Sequence, residues 1–148
     1  MQPSDYDVET LNDLIATTID SVDGYRAAAQ DAASSRVETL FYQRATEREE
    51  VTDRLQDYVR ELGGIPVADG SAAGGAHRLF AGLRETVANA DDDTVMTEVE
   101  RGEDHLKAKY ERALSDADLA PRTREVIGEA FETVKHSNDE ARDMKLAA

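Results

Sequence analysis

The chain lacks cysteine and tryptophan altogether and has only three prolines among its 148 residues. Without cysteine it can form no disulfide, no thiolate metal site and no cysteine nucleophile. Long apolar runs are missing too, because no stretch approaches the ~18 apolar residues that cross a bilayer. The first residues, MQPSDYDVET, have neither the basic region nor the apolar run of a signal peptide. We therefore expect a cytoplasmic protein without a membrane partner.

Positive charge is also scarce. There are 32 acidic residues against 17 lysines and arginines, which gives a formal net charge of −15. The acidic residues are spread along the chain instead of forming a tail. Binding to nucleic acid or to an anionic membrane requires clustered lysines and arginines. The charge therefore predicts that neither is a partner.

Helical periodicity is what the sequence has in abundance. Apolar residues recur every three or four positions in four long stretches, which predict helices over about 8–33, 36–62, 94–114 and 121–146. Asp7 is a suitable N-cap for the first of them, because its side chain can accept from a free backbone N–H. The length fits a single four-helix domain over residues 1–148.

The second and third long helices are separated by about thirty residues, 63–93, instead of a short loop. This region carries a short amphipathic stretch, AHRLFAGLRETVANA, which predicts one short helix. Two antiparallel helical hairpins joined by one long crossover are the connectivity of ferritin-like four-helix bundles. We therefore predict an all-α, ferritin-like four-helix bundle. Apolar residues of the short helix also offer a surface for a homo-oligomer, namely Leu79, Phe80 and Leu83.

Two arginines interrupt the apolar stripe of the second helix. At about 100° per residue, Arg44 and Arg48 lie on the same face as Phe41 and Val51. A buried guanidinium without a partner is very costly. We predict that Arg48 forms a buried ion pair with Glu103, the one carboxylate that points squarely inward. The predicted buried polar cluster consists of Arg44, Arg48, Glu103, Tyr25, Thr18 and Asn138.

A ferritin-like outline raises the question of a di-iron site. Such sites use Glu-x-x-His pairs, and this chain contains none, since His77, His105 and His136 follow Gly74, Gly102 and Thr133 at that spacing. The histidines are expected at the surface. A site made of carboxylates alone stays open as an alternative, with iron or manganese bound by Glu47, Glu103 and Asp23. The favoured interpretation has no metal and no cofactor.

Several stretches together resemble one protein family. They are ETLNDLIATTIDSVDGY, LFYQRATERE, LGGIP, HRLFAGLR, EVERGEDHLKAKYERAL and VKHSNDEAR. Across about residues 8–142 the chain resembles the bacterial four-helix-bundle proteins of domain-of-unknown-function family 2383. The resemblance implies a ferritin-like bundle. It implies no established activity and no catalytic or metal residues.

These observations predict a non-catalytic helical bundle that acts as a structural or protein-interaction module. Its interior would hold an Arg/Glu/Tyr cluster in place of a di-iron site. The alternative is a carboxylate-rich, ferritin-like metalloprotein that binds iron or manganese at mid-bundle. No catalytic residue is predicted for the favoured interpretation.

Overall fold

All regular secondary structure in the described part of the chain is helical. The computed structural model describes the backbone of residues 3–71 and 75–147 and the side chains of residues 4–71 and 77–136. The helices are α1 (Pro3–Asp31), α2 (Ser35–Glu61), α3 (Gly75–Ala81), α4 (Leu83–Asn89), α5 (Asp92–Leu114) and α6 (Pro121–Ala147). The predicted all-α class is thereby confirmed. Within the described residues, no helix is long and apolar enough to cross a membrane.

Local sequence signals explain where α2 begins and ends. Ser34 is its N-cap, with the side-chain oxygen accepting from the Val37 N–H at 3.3 Å. At the other end Gly63 adopts a φ of 83°, which favours glycine because it has no Cβ. The N–H of Gly64 then reaches back to the carbonyl of Val59 at 3.0 Å, as in a Schellman motif. These signals fix the turns at both ends of α2.

The connection from α2 to α5 runs back along α1. Near its start, the Asn12 amide of α1 donates to the Ile65 carbonyl and accepts from the Val67 N–H, at 3.1 and 3.0 Å. Further on, Asp20 accepts from the Ser71 N–H at 3.0 Å. Helices α3 and α4 then pack on α1 and α5. The crossover therefore travels the length of α1 before α5 begins.

The four long helices pack side by side, with contacts between α1 and α2, α1 and α5, α2 and α6, and α5 and α6. Along α5 the contacts to α1 move towards the start of α1, from Glu103 against Tyr25 to Tyr110 against Thr18. Helix α5 is therefore antiparallel to α1. Helix α6 returns from that end, where Thr123 meets Tyr58 of α2.

The apolar core consists of two clusters, one towards each end of the long helices. We call them the lower core and the upper core. The lower core is formed by Leu11, Leu14, Ile15, Val51, Leu55, Tyr58, Val59, Leu106, Tyr110, Ala113, Leu119, Ile127, Ala130, Phe131 and Val134. The upper core is formed by Val22, Tyr25, Ala28, Ala29, Val37, Phe41, Ala45, Phe80, Leu83, Val87, Val95, Met96 and Val99. Only the upper core includes residues of α3 and α4.

One expectation about the crossover needs correction. The crossover contains two short helices instead of one, because the chain turns at Gly82 between α3 and α4. Its apolar residues Phe80 and Leu83 are each 1% exposed and pack in the chain's own upper core. Self-association through the crossover helix would require both side chains to leave that core.

The prediction that Asp7 caps α1 is wrong, because α1 begins four residues earlier, at Pro3. Asp7 is 3% exposed and serves α6 instead. Its Oδ2 accepts from the backbone N–H of Ala120 at 3.2 Å and from the Thr123 hydroxyl at 2.6 Å. The Tyr58 hydroxyl lies 2.9 Å from the same threonine oxygen. Asp7 therefore joins the start of α1 to the start of α6.

Replacing Asp7 with alanine is expected to lower the free energy of unfolding by about 1–3 kcal/mol, because the buried Thr123 hydroxyl and the partly buried Ala120 N–H lose their acceptor. Urea unfolding of the variant measures this loss. Asp53→Ala, at an exposed position on α2, is the matched control and should change stability by less than about 0.5 kcal/mol. Equal stability of the two variants would contradict the proposed role of Asp7.

Candidate functional site

An ion pair between α2 and α5 lies at the centre of the site. Nη2 of Arg48 is 2.6 Å from Oε2 of Glu103, and both side chains are 0% exposed. Each residue is buried because it occupies the inward stripe of its helix, between apolar residues that form the core. A charged pair removed from water in this way is stable only if its geometry is good and its other polar atoms are bonded. Nε of Arg48 has no hydrogen-bond partner among the described residues.

Tyr25 of α1 completes the connection between three helices. Its hydroxyl donates a short hydrogen bond to Oε1 of Glu103, so the carboxylate is engaged through both oxygens. The Tyr25 ring lies between two phenylalanines, with centroid distances of 5.2 Å to Phe41 and 5.3 Å to Phe80. The guanidinium carbon of Arg44 lies 5.4 Å from the Tyr25 ring centroid, a cation–π arrangement.

A second layer of hydroxyl groups extends from the ion pair along α1. Nη1 of Arg48 donates to the Ser21 hydroxyl oxygen at 3.4 Å, and that hydroxyl donates to the Thr18 carbonyl at 2.6 Å. The Thr18 hydroxyl donates to the Leu14 carbonyl at 2.7 Å. It therefore accepts from the Tyr110 hydroxyl, which lies 2.8 Å away. This layer contacts Arg48 through Ser21 and connects α1 to α5 through Tyr110.

The charges in the cluster are stabilised by one another. Burial alone would raise the pKa of Glu103, but Arg48 and then Arg44 outweigh it and hold that pKa below the usual range. Burial likewise opposes the charge on Arg48, yet the Glu103 carboxylate keeps the pKa of Arg48 raised. Burial and then the Glu103 charge raise the pKa of Tyr25. At neutral pH the cluster is therefore a guanidinium, a carboxylate and a neutral phenol.

Not every predicted member of the cluster touches the ion pair. Arg44 is 1% exposed and lies over Tyr25. Thr18 is 0% exposed but bonds to Tyr110 instead of to Arg48 or Glu103. Asn138 lies in the part of α6 whose side chains the structure does not describe. Neither the contact of Ser21 with Arg48 nor the polar role of Tyr110 was predicted from the sequence.

The residues named for the alternative metal site are not arranged to share a cation. Asp23 is exposed and Glu47 is partly buried, whereas Glu103 is wholly buried and bonded to Arg48 and Tyr25. Across the part of the chain that the structure describes, no three His, Asp or Glu side chains come together in a group able to hold a metal ion. A cation beside Glu103 would also face the charge of Arg48. The donor set of the cluster therefore does not fit a metal centre.

A second polar site lies where the crossover passes α1. Asp20 is 3% exposed, although it lies off the apolar stripe of α1. It accepts from both the N–H and the hydroxyl of Ser71, and Nδ1 of His77 lies 3.6 Å from its Oδ1. The adjacent groove has a volume of about 210 Å³ and is also lined by Asp23, whose pKa is raised by partial burial and then by the Asp20 charge. These contacts anchor the crossover to α1.

The three histidines occupy different environments. His77, beside Asp20, has a side chain 48% exposed. His136 is exposed, and His105 is partly buried, with Nε2 lacking a hydrogen-bond partner among the described residues. None of them contacts the Arg48–Glu103 pair.

Comparison with known proteins gives one family match. A family model described as "Domain of unknown function (DUF2383)" matches residues 7–116. This range is most of the chain and contains Tyr25, Arg44, Arg48 and Glu103, but it ends before α6. No curated protein matches the chain.

Proposed function

The chain belongs to the DUF2383 family, and from this premise we propose that it is a ferritin-like helical bundle serving as a structural or protein-interaction module without catalysis. The buried polar cluster takes the place that a di-iron site would occupy in such a bundle. Its task is to hold three of the long helices in register. The single observation that carries this proposal is the fully buried contact between Arg48 and Glu103, at 2.6 Å.

The course of the crossover supports the ferritin-like arrangement. Ferritin-like bundles need one long connection that returns to the opposite end of the bundle before the third helix begins. Here the chain after α2 is bonded first to Asn12, then to Asp20 and finally, through Arg84, to Asp31 of α1. The connection thus advances along α1 from its start to its end.

The chemistry of the cluster supports a structural role. Both oxygens of Glu103 accept from side chains of the protein, and the charge of Arg48 beside them opposes the approach of a cation. Arg48 suits a structural task, since its planar fork holds a carboxylate in a fixed orientation. Ion pairs and polar side chains in a core can also specify one register of helices. The net charge of −15 supports a partner other than nucleic acid.

Metal loading tests this proposal against the iron or manganese alternative. Purified protein is incubated with Fe²⁺ or Mn²⁺, treated with chelator, desalted and analysed for metal content. We expect less than stoichiometric metal after chelation. Both oxygens of Glu103 already accept hydrogen bonds, and the positive charge of Arg48 would repel a metal cation. One or two metal ions per chain that survive the chelator would overturn the proposal.

A variant distinguishes a metal in the cluster from a metal on the acidic surface. Glu103→Gln removes the only carboxylate of the cluster, so a metal held there would be lost. Metal bound at the surface would be unaffected by Glu103→Gln and would be removed by chelator in both proteins. The matched control is Glu111→Gln, at an exposed position on the same helix.

A further inference from the structure

The two short helices of the crossover, α3 and α4, cover one side of the buried polar cluster. We call them together the cover. They are attached to the long helices by three apolar side chains that follow helical spacing, Phe80, Leu83 and Val87, each 1–2% exposed. Phe80 contacts the cluster, since its ring meets the Tyr25 ring edge-on at a centroid distance of 5.3 Å. The cover therefore seals Tyr25, and through it Glu103, from solvent.

Phe80 sits in a slot formed by two glycines. A Cβ added at Gly24 of α1 would lie 2.5 Å from the Phe80 Cβ. A Cβ added at Gly102 of α5 would lie 3.0 Å from the edge of the Phe80 ring. Glycine inside a helix is unfavourable relative to alanine. Two such positions facing one side chain show that the long helices are shaped to receive the cover.

Besides these apolar side chains, the cover makes polar contacts with α1 near the surface, one of them between Nδ1 of His77, whose side chain is 48% exposed, and Oδ1 of Asp20 at 3.6 Å. Each helix of the cover has seven residues, far fewer than an isolated helix needs for stability in water. The ion pair of Arg84 with Asp31 joins side chains 58% and 36% exposed, and such surface pairs contribute little.

The long helices have a core that does not depend on the cover. Every residue of the lower core comes from a long helix or from Leu119 in the α5–α6 loop. Among the side chains that the structure describes, those of the cover that are buried belong to the upper core. Regions with few buried apolar contacts open at lower free energy than the core of the same protein. The lower core can therefore keep the long helices folded while the cover is displaced.

We propose that α3 and α4 open as one unit while the four long helices stay folded, and that opening admits solvent to Tyr25 and Glu103 through the slot between Gly24 and Gly102. Opening of the cover makes the buried cluster accessible to solvent without unfolding the bundle. Closing restores the contact of Phe80 with Tyr25. The proposal concerns the motion of the cover and does not depend on the proposed function.

Hydrogen–deuterium exchange of the wild-type protein tests whether the cover opens by itself. Backbone amides of residues 77–89 are compared with those of residues 51–59, which lie in the lower core. We expect exchange in the cover to be faster by about 100-fold or more, because its opening leaves the lower core intact. Exchange of both segments at one common rate would overturn the proposal.

The variant Gly24→Ala opens the cover without removing any apolar side chain. Its Cβ displaces Phe80, while alanine strengthens α1 itself. Exchange in residues 77–89 should rise by about tenfold or more and exchange in residues 51–59 should not. Gly128→Ala is the matched control, because its Cβ would lie 3.7 Å from the nearest atom, Leu114 Cδ2, an ordinary contact. It should leave exchange in the cover unchanged.

Hydroxyl-radical footprinting of the same proteins reports on the cluster. Oxidation of Tyr25 should increase in Gly24→Ala, and Tyr110, which is buried in the lower core, should remain protected. If Gly24→Ala accelerates exchange equally in all helices, or exposes both tyrosines equally, the cover is an integral part of the bundle and the proposal fails. If the variant does not fold, the wild-type exchange experiment decides alone.

Discussion

Replacing Glu103 with leucine is expected to lower the free energy of unfolding by about 3–5 kcal/mol, because the change leaves a buried guanidinium without its carboxylate. Arg48 is 0% exposed and cannot reach solvent without disturbing the core. The Tyr25 hydroxyl loses its acceptor at the same time, which adds the cost of an unsatisfied buried donor. Urea unfolding followed by circular dichroism measures the total.

Two further variants separate the loss of the ion pair from the loss of a side chain. Glu111→Leu makes the same substitution at an exposed position of α5 and should change stability by less than about 0.5 kcal/mol. The double variant Arg48→Met/Glu103→Leu removes both charges and should recover most of the loss, since apolar residues can replace a buried pair at little cost. If the free energy of unfolding of Glu103→Leu were close to that of the wild type, the two side chains would not form a tightly coupled pair.

The sequence could predict the ion pair because both partners lie within long, strongly periodic helices. In such helices the position of a residue along the chain determines the direction in which its side chain points. The sequence therefore predicts that Arg48 and Glu103 point inward. Burial then required that they meet, since neither charge is tolerated alone in a core. The same reasoning placed Tyr25 near them. The hydroxyl layer was less predictable, because a buried serine such as Ser21 can also bond to its own helix backbone.

The roles of Asp20 and Gly24 could not be read from helical periodicity. Both lie off the apolar stripe of α1, where the sequence predicts solvent. In the structure that face is covered by the crossover, and Phe80 contacts Gly24 while Ser71 bonds to Asp20. Periodicity describes one helix at a time. It does not reveal that a distant segment will return to cover a second face.

The role of Asp7 was mistaken for a related reason. The sequence offered a helix that begins near Asp7, and an aspartate at that place is a suitable N-cap. The helix in fact begins at Pro3, and Asp7 bonds to the N–H of Ala120 and to Thr123. These partners are more than one hundred residues away. An aspartate can accept from the free N–H groups at the start of a helix. Which helix start Asp7 bonds to depends on the tertiary fold and cannot be read from its own helix.

Replacing Arg48 with methionine is expected to change the sign of the contribution that Glu103 makes to the pH dependence of stability. In the wild type the pKa of Glu103 is lowered, mainly by Arg48 against the effect of burial. A carboxyl group with a lowered pKa in the folded state contributes stability above its unfolded pKa of about 4.3, and this stability is lost as the pH falls. Without Arg48, we expect burial to outweigh the smaller effect of Arg44 and to raise the pKa of Glu103 above that value. Folding then takes up a proton, so this contribution is present at low pH and is lost as the pH rises.

The deficit of Arg48→Met relative to the wild type should therefore be about 3–5 kcal/mol near neutral pH and should shrink as the pH approaches about 4. Urea unfolding of both proteins across this range measures the difference. Arg60→Met is the matched control, because the Arg60 side chain is 60% exposed and its pair with Asp57 should contribute at most about 1 kcal/mol at any pH. A deficit for Arg48→Met that stays constant with pH would mean that Glu103 remains charged without Arg48. In that case Arg44, and not Arg48, would be the residue that keeps the buried carboxylate ionised.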